Sequence, residues 1–191
     1  MAAATLDVCV PHFGSGHGAD GGLVTPDFAL ADVDASRYSA VMFVGGWGAS
    51  QYQYAFEGTY ANPAYNGTGE VRTAVNQLIN DFVDQDKYVA ALCTGVSILA
   101  WARVDGASLL EGRSVAGYAG YMPGWIGGDG AYHGGTLTSW HVEANGGTMF
   151  ASGALGDPTS YTDDVWEDGN ILTAEDYRSG YLLGQVLAGR L

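Results

Sequence analysis

Residues 88–95 read Tyr-Val-Ala-Ala-Leu-Cys-Thr-Gly. A short apolar run ends in Cys93, Thr94 and Gly95, and an apolar stretch with helical spacing follows at once. This order predicts a buried strand, a tight turn carrying a thiol, and a helix. A thiol so placed sits at a sheet edge beside the positive end of a helix, where the thiolate is favoured. The competing reading is a structural cysteine, because free Cys is among the most buried residue types.

Outward from this stretch, the chain alternates strands and helices. Ser39-Ala-Val-Met-Phe-Val44 is an uninterrupted apolar run closed by Gly45-Gly46-Trp47-Gly48, and it predicts a strand buried on both faces. Val71, Val75, Leu78, Ile79, Phe82 and Val83 recur at spacings of three and four, so residues 70–85 predict an amphipathic helix. Lys87 to Leu92 is the next strand, Thr94 to Arg103 the helix after the turn, and Ser114 to Gly117 a short strand. Asp164 to Ala174 reads as a hairpin with Asp168-Gly169 as its turn, and residues 175–188 as a closing helix built on Tyr177, Tyr181, Leu183, Val186 and Leu187. Near the N-terminus, Thr5 to Val10 and Leu23 to Thr25 predict short strands around the loop Gly14–Gly22. Residues 50–68 and 118–160 show no clear period. Alternating elements of this kind predict an α/β layered fold with a mostly parallel sheet, whose sites gather at the carboxyl ends of the strands. Gly45-Gly46 and Cys93 both lie at such ends.

The totals fit one domain of 191 residues, 47 % of them hydrophobic. Twenty-one acids stand against seven bases, a formal charge of −14, and Lys87 is the only lysine. Such a surface repels nucleic acid and anionic membranes, which are bound through Lys and Arg. No apolar stretch reaches the ~20 residues that span a bilayer, and Met1 to Asp7 lacks the basic and apolar regions of a secretory signal. Two cysteines, Cys9 and Cys93, are too few for a disulfide framework, so reduced thiols in a cytoplasmic setting are expected. Asn66-Gly-Thr68 matches the glycosylation triplet and reads as a turn.

The residues also resemble the DJ-1/PfpI branch of the class I glutamine-amidotransferase-like superfamily. Three blocks carry the resemblance: Asp34 to Gly48, Asp86 to Ala100 with Gly112-Arg113-Ser-Val, and Asp168 to Ala174 with the closing helix. The resemblance implies a flavodoxin-like three-layer sandwich over residues 1–191, with a Gly- and aromatic-rich insertion at about 118–160. It implies that Cys93 is a nucleophile-elbow cysteine and that backbone N–H groups around Gly45, Gly46 and Thr94 form an anion hole. The Cys-Thr-Gly form is similar to the isocyanide hydratase subgroup. Relatives are often dimers or larger, so a homodimer or higher homo-oligomer is expected, acting on a small-molecule substrate without a cofactor.

Two departures matter. The chain reads as though it begins at the family's second strand, without the first βα unit that brings an acid to the cysteine. Three explanations stay open: a chain that starts late, a lost unit, or an acid supplied from elsewhere. Where some relatives place a histidine after the following strand, this chain has Gly117-Tyr118-Ala119. Tyr118 is therefore an auxiliary candidate, as is His141, which the 118–160 region would have to carry to Cys93.

Other chemistry carries less weight. His12 and His17 lack a completing ligand, and no metal site is expected. The spacing of Asp163, Asp164, Glu167 and Asp168 does not match a calcium loop, so a solvated hairpin is expected. Tyr52, Tyr54, Phe56, Tyr60 and Tyr65 line a pocket, make an oligomer contact, or simply pack. For function, three readings stand: a cysteine-dependent hydrolase or hydratase/glyoxalase-type lyase, a redox-sensing or stress-response protein with an oxidisable Cys93, and a structural or assembly protein.

Overall fold

The computed structural model describes residues 27–191. The strands expected at Thr5–Val10 and Leu23–Thr25, the loop Gly14–Gly22, and Cys9, His12 and His17 lie outside the described residues.

Eleven strands appear among the described residues, in chain order β1 Ala40–Phe43, β2 Thr59–Tyr60, β3 Tyr88–Leu92, β4 Arg103–Val104, β5 Ala107–Ser108, β6 Ser114–Val115, β7 Trp125–Ile126, β8 Tyr132–His133, β9 Thr148–Met149, β10 Val165–Asp168 and β11 Ile171–Ala174. The α-helices are α1 Gly69–Asp84, α2 Val96–Trp101, α3 Thr138–Glu143 and α4 Gly180–Ala188. Four strands form the central sheet in the order β1-β3-β11-β10. Strands β1, β3 and β11 run parallel, and β10 closes the edge as the antiparallel arm of a hairpin. The mostly parallel α/β architecture expected from the sequence is therefore present. No described helix is long and apolar enough to cross a membrane.

Alternation along the strands builds a layer on each face. Val89 and Ala91 of β3 pack with Val75, Leu78, Ile79 and Phe82 of α1 and with Ile98 and Leu99 of α2. Ala90 joins Leu172 and Ala174 of β11 against Leu183 and Leu187 of α4. Helix α1 starts where Thr68 Oγ1 accepts from the Val71 N–H at 3.3 Å, an N-cap that satisfies a donor the helix cannot. Its buried stripe is the one the sequence spacing marks.

Several local expectations change. Strand β1 is not buried on both faces: Met42 is partly exposed, and Val44 just beyond the strand is 60 % exposed. Nothing in the described sheet pairs with its outer side. The hairpin turn is Gly169-Asn170, one residue later than expected, because Asp168 still pairs with Ile171. Gly169, at φ +60°, supplies the left-handed backbone. The closing helix begins at Gly180, and Tyr177 and Tyr181 face solvent rather than the core. The helix after the elbow ends at Trp101, two residues earlier than expected.

Candidate functional site

The parallel register decides what meets at the carboxyl end of the sheet. Phe43 lies opposite Ala91, and Ala174 opposite Leu92. Continuing each strand brings Gly45-Gly46, Cys93-Thr94 and Glu175-Asp176 to one edge. Cys93 itself is at φ +62°, a conformation that non-glycine residues adopt only when the surroundings impose it. A single helical turn, Cys93–Gly95, then leads directly into α2.

Two glycines let the strand ends interlock. A Cβ on Gly45 would lie 2.7 Å from Cys93 Cβ, from the Leu92 carbonyl oxygen and from the Thr94 nitrogen. A Cβ on Gly95 would lie 2.4 Å from the Phe43 carbonyl oxygen. Thr94 ties the contact: its Oγ1 accepts from the Gly46 N–H and donates to the Gly46 carbonyl, both at 2.8 Å. The Thr94 hydroxyl is thus bonded to Gly46 in both directions. A buried relay braces the elbow from beneath. Tyr60 OH donates to Gln53 Oε1, Gln53 Nε2 to Ser97 Oγ, and Ser97 Oγ to the Thr94 carbonyl, at 2.6, 2.8 and 2.8 Å. Gln53 and Ser97 are fully buried, and sequence reading singled out neither.

Burial pushes the Cys93 thiol above its ordinary range, and the negative charge of Asp176 adds to the rise. Hydrogen bonding from the Thr94 and Gly46 N–H groups, and from the Thr94 hydroxyl, acts in the opposite direction without cancelling it. The Gly46 N–H is shared in this, since its short bond is to Thr94 Oγ1. Desolvation therefore outweighs the helix-start effect that favoured a thiolate on sequence grounds.

Asp176 is a carboxylate whose charge acts on Cys93. It is buried, and Arg178 holds it through its backbone N–H at 2.8 Å and its guanidinium at 2.5–3.1 Å. Arg178 in turn lies over the Tyr161 ring at 4.7 Å. Replacing Asp176 with Asn removes the repulsion on the thiolate, so the pH midpoint of Cys93 alkylation by iodoacetamide should move down and the rate at pH 7.5 should rise. An unchanged or higher midpoint would remove Asp176 from the electrostatics of the site.

The acidic run is not a solvated hairpin. Asp164 is buried and accepts from the Leu155 N–H. Glu167 pairs with Arg190 at 2.7 Å and accepts from Tyr88 OH. Asp168 pairs with Arg113 at 2.9 Å and accepts from the Ser114 N–H. These carboxylates diverge to separate partners and tie the hairpin to the rest of the sheet. Glu175, beside Asp176, accepts from Ser152 Oγ and from the Gly153 N–H. The region 118–160 thereby touches the sheet edge.

The auxiliary candidates fall in different places. The Tyr118 N–H donates to the Cys93 carbonyl at 3.4 Å, so its backbone adjoins the elbow. His141 is fully buried in an aromatic cluster, with Phe56 at 5.6 Å, Trp140 at 5.0 Å and Trp101 at 6.2 Å between ring centroids. Its Nδ1 accepts from Trp101 Nε1–H at 2.9 Å, so the proton resides on Nε2, which faces Thr136 Oγ1 at 3.1 Å. Burial lowers its pKa to about 4. With both nitrogens engaged, His141 braces the packing of α3 rather than serving Cys93. The glycosylation triplet is likewise internal: Asn66 closes a loop by bonding the Tyr60 N–H and carbonyl, both at 2.8 Å.

No family model matches the sequence, and the search of curated proteins gives no match. Solved structures do share the architecture. Glyoxalase III from Candida albicans aligns with a TM-score of 0.55 at 17 % identity, over 84 % of this chain and 60 % of that one. Rapid Encystment Protein from Francisella tularensis gives 0.59 at 16 %, over 85 % and 62 %. DJ-1beta from Drosophila melanogaster gives 0.53 at 18 %, over 89 % and 65 %. The chain thus spans less than two thirds of the length of each of these proteins. At such identities the likeness is one of fold.

Proposed function

From the premise that this chain has the DJ-1/PfpI fold, we propose that it is a member of that family and that Cys93 adds to an electrophilic carbon of a small molecule, as in a hydrolase or a hydratase/glyoxalase-type lyase. One observation carries the reading: Cys93 is held at φ +62° on a strand-to-helix elbow, under glycines that bring two backbone N–H groups to its sulfur. In the step envisaged, Sγ loses its proton to a base and forms a bond to the carbon. An electron pair of the multiple bond moves to the attached heteroatom, which the Gly46 and Thr94 N–H groups face. Asp176 is the acidic group whose charge reaches the thiol.

Burial of the Cys93 thiol disfavours the thiolate needed for oxidation and for nucleophilic attack alike, so attack requires a base that takes the proton as the bond forms. The raised thiol pKa also predicts that turnover rises with pH through the neutral range.

The test is a panel of small electrophiles covering 2-oxoaldehydes, isocyanides and activated esters, assayed for product with the native chain and with Cys93→Ser. Turnover of at least one class should fall by ~10²-fold or more in the variant. Equal turnover by Cys93→Ser, or none on any class, would overturn the proposal.

A further inference from the structure

A groove of about 530 Å³, within the size range of small-molecule sites, is lined in part by Trp47, the residue after Gly46. Trp47, Tyr65, Tyr121, Pro123 and Tyr132 line it, with Asn62 as a polar member. Trp47 directly follows Gly46, and its Nε1–H donates to the Tyr121 carbonyl at 3.2 Å. Three residues before Tyr121, the Tyr118 N–H bonds to the Cys93 carbonyl. Trp47 and Tyr121 thus connect the groove through the chain to the segments that flank Cys93. A larger cleft of about 620 Å³ lies between Leu30 and α1, and none of its lining residues directly follows an elbow or Gly45-Gly46 residue in the chain.

The lining limits what the groove can take. It contains no charged side chain, and the whole chain carries a formal charge of −14. An anion would lose its water there without gaining a cationic partner. The surfaces on offer are ring faces and edges. Trp47 and Tyr65 stand edge to face at 5.8 Å between centroids, and Tyr121 and Tyr132 are 62 % and 67 % exposed. Gly124 leaves room for Tyr132, whose hydroxyl would be 2.4 Å from a Cβ there. Offset and edge-on stacking rewards a flat, uncharged ring.

The geometry points to a subsite for an uncharged aromatic ring carried by the electrophile that Cys93 attacks. This rests on the proposed role of Cys93 for its connection to chemistry, but ring binding is measurable without it.

The experiment uses the full chain with Cys93→Ser and three ketones: acetophenone, cyclohexyl methyl ketone and 4-acetylbenzoate. Ligand-observed NMR titrations should show saturation concentrated on the acetophenone ring protons. The alicyclic and anionic ketones should bind about fivefold more weakly or worse, as expected for lost ring–ring contact. Tyr121→Ser and Tyr132→Ser, both at exposed positions, should each weaken acetophenone by a similar factor while the melting temperature stays unchanged. Equal binding of the three ketones, or affinity unchanged in both tyrosine variants, would overturn the subsite. Because Cys93 is absent from this assay, failure of the groove leaves the turnover result standing, and failure of turnover leaves ring binding intact.

Discussion

Gly45→Ala should destabilise the protein by about 3 kcal/mol, which for a domain of this size lowers the melting temperature by about 6–12 °C. The added methyl would meet Cys93 Cβ, the Leu92 carbonyl and the Thr94 nitrogen, each at 2.7 Å. None of the three is the movable end of a side chain, so β1 and the elbow must separate. The pair of 2.8 Å bonds between Thr94 and Gly46 would stretch with them. Alkylation of Cys93 should speed up as the sulfur gains solvent. Gly184→Ala is the contrast: Gly184 is an exposed helical position in α4 with open space around it. That substitution should raise stability by ~0.5–1 kcal/mol. Calorimetry of both variants checks the claim, and a Gly45→Ala protein that melts with the native chain would refute the close approach.

The second large effect is an acid-linked loss of stability set by His141. Its pKa in the folded chain is about 4, against an ordinary value of 6.5, because the ring is buried. Between those values the unfolded chain binds a proton that the folded chain does not. Stability from this group is therefore fully present above pH 6.5 and falls as pH drops toward 4. Over that interval, at ~1.36 kcal/mol per pH unit, the loss is on the order of 3 kcal/mol. His141→Gln keeps an acceptor for Trp101 Nε1–H and cannot titrate. Urea unfolding at several pH values should show the variant less stable at pH 7 but with a shallower slope between pH 6.5 and 4. Parallel slopes for the two proteins would show that His141 is not buried neutral.

The sequence shows the scaffold wherever one period runs long enough. The α1 stripe and the β10–β11 hairpin are legible because apolar residues recur at three and four, or because a turn sits between two apolar runs. The turn itself lies one residue later than the sequence suggests, since Asp168 looks like a turn former yet extends the ladder to pair with Ile171. The closing helix starts later than its spacing suggests for a related reason. Tyr177 and Tyr181 have the right spacing for a buried face, but both are exposed, and the segment before Gly180 instead delivers Glu175 and Asp176 to the sheet edge. Residues 118–160 are unreadable by period because their strands are two residues long and their order comes from rings packed around Trp125, Trp140 and His141.

The candidate site divides the same way. Cys93, Gly45, Gly46 and Thr94 could be singled out because they sit at strand ends that local sequence marks. Asp176 could not, because only the parallel pairing of β11 with β3, where Ala174 meets Leu92, brings it to the same sheet end as Cys93. No local signal carries that register. Gln53 and Ser97 were hidden for the same reason: they meet across 44 residues of chain.

The reciprocal bond between Thr94 and Gly46 has a consequence for selectivity. In the resting protein the Gly46 N–H is occupied by a partner from the chain itself. A ligand atom that develops negative charge near Cys93 must compete with the Thr94 hydroxyl for that donor. Weakly polarised molecules lack the charge to win the exchange, whereas one that gains a full negative charge during attack can draw the N–H away. On the proposed role of Cys93, the lock would act as a threshold on reactivity, closed to bystander carbonyls and opened only by the reaction itself.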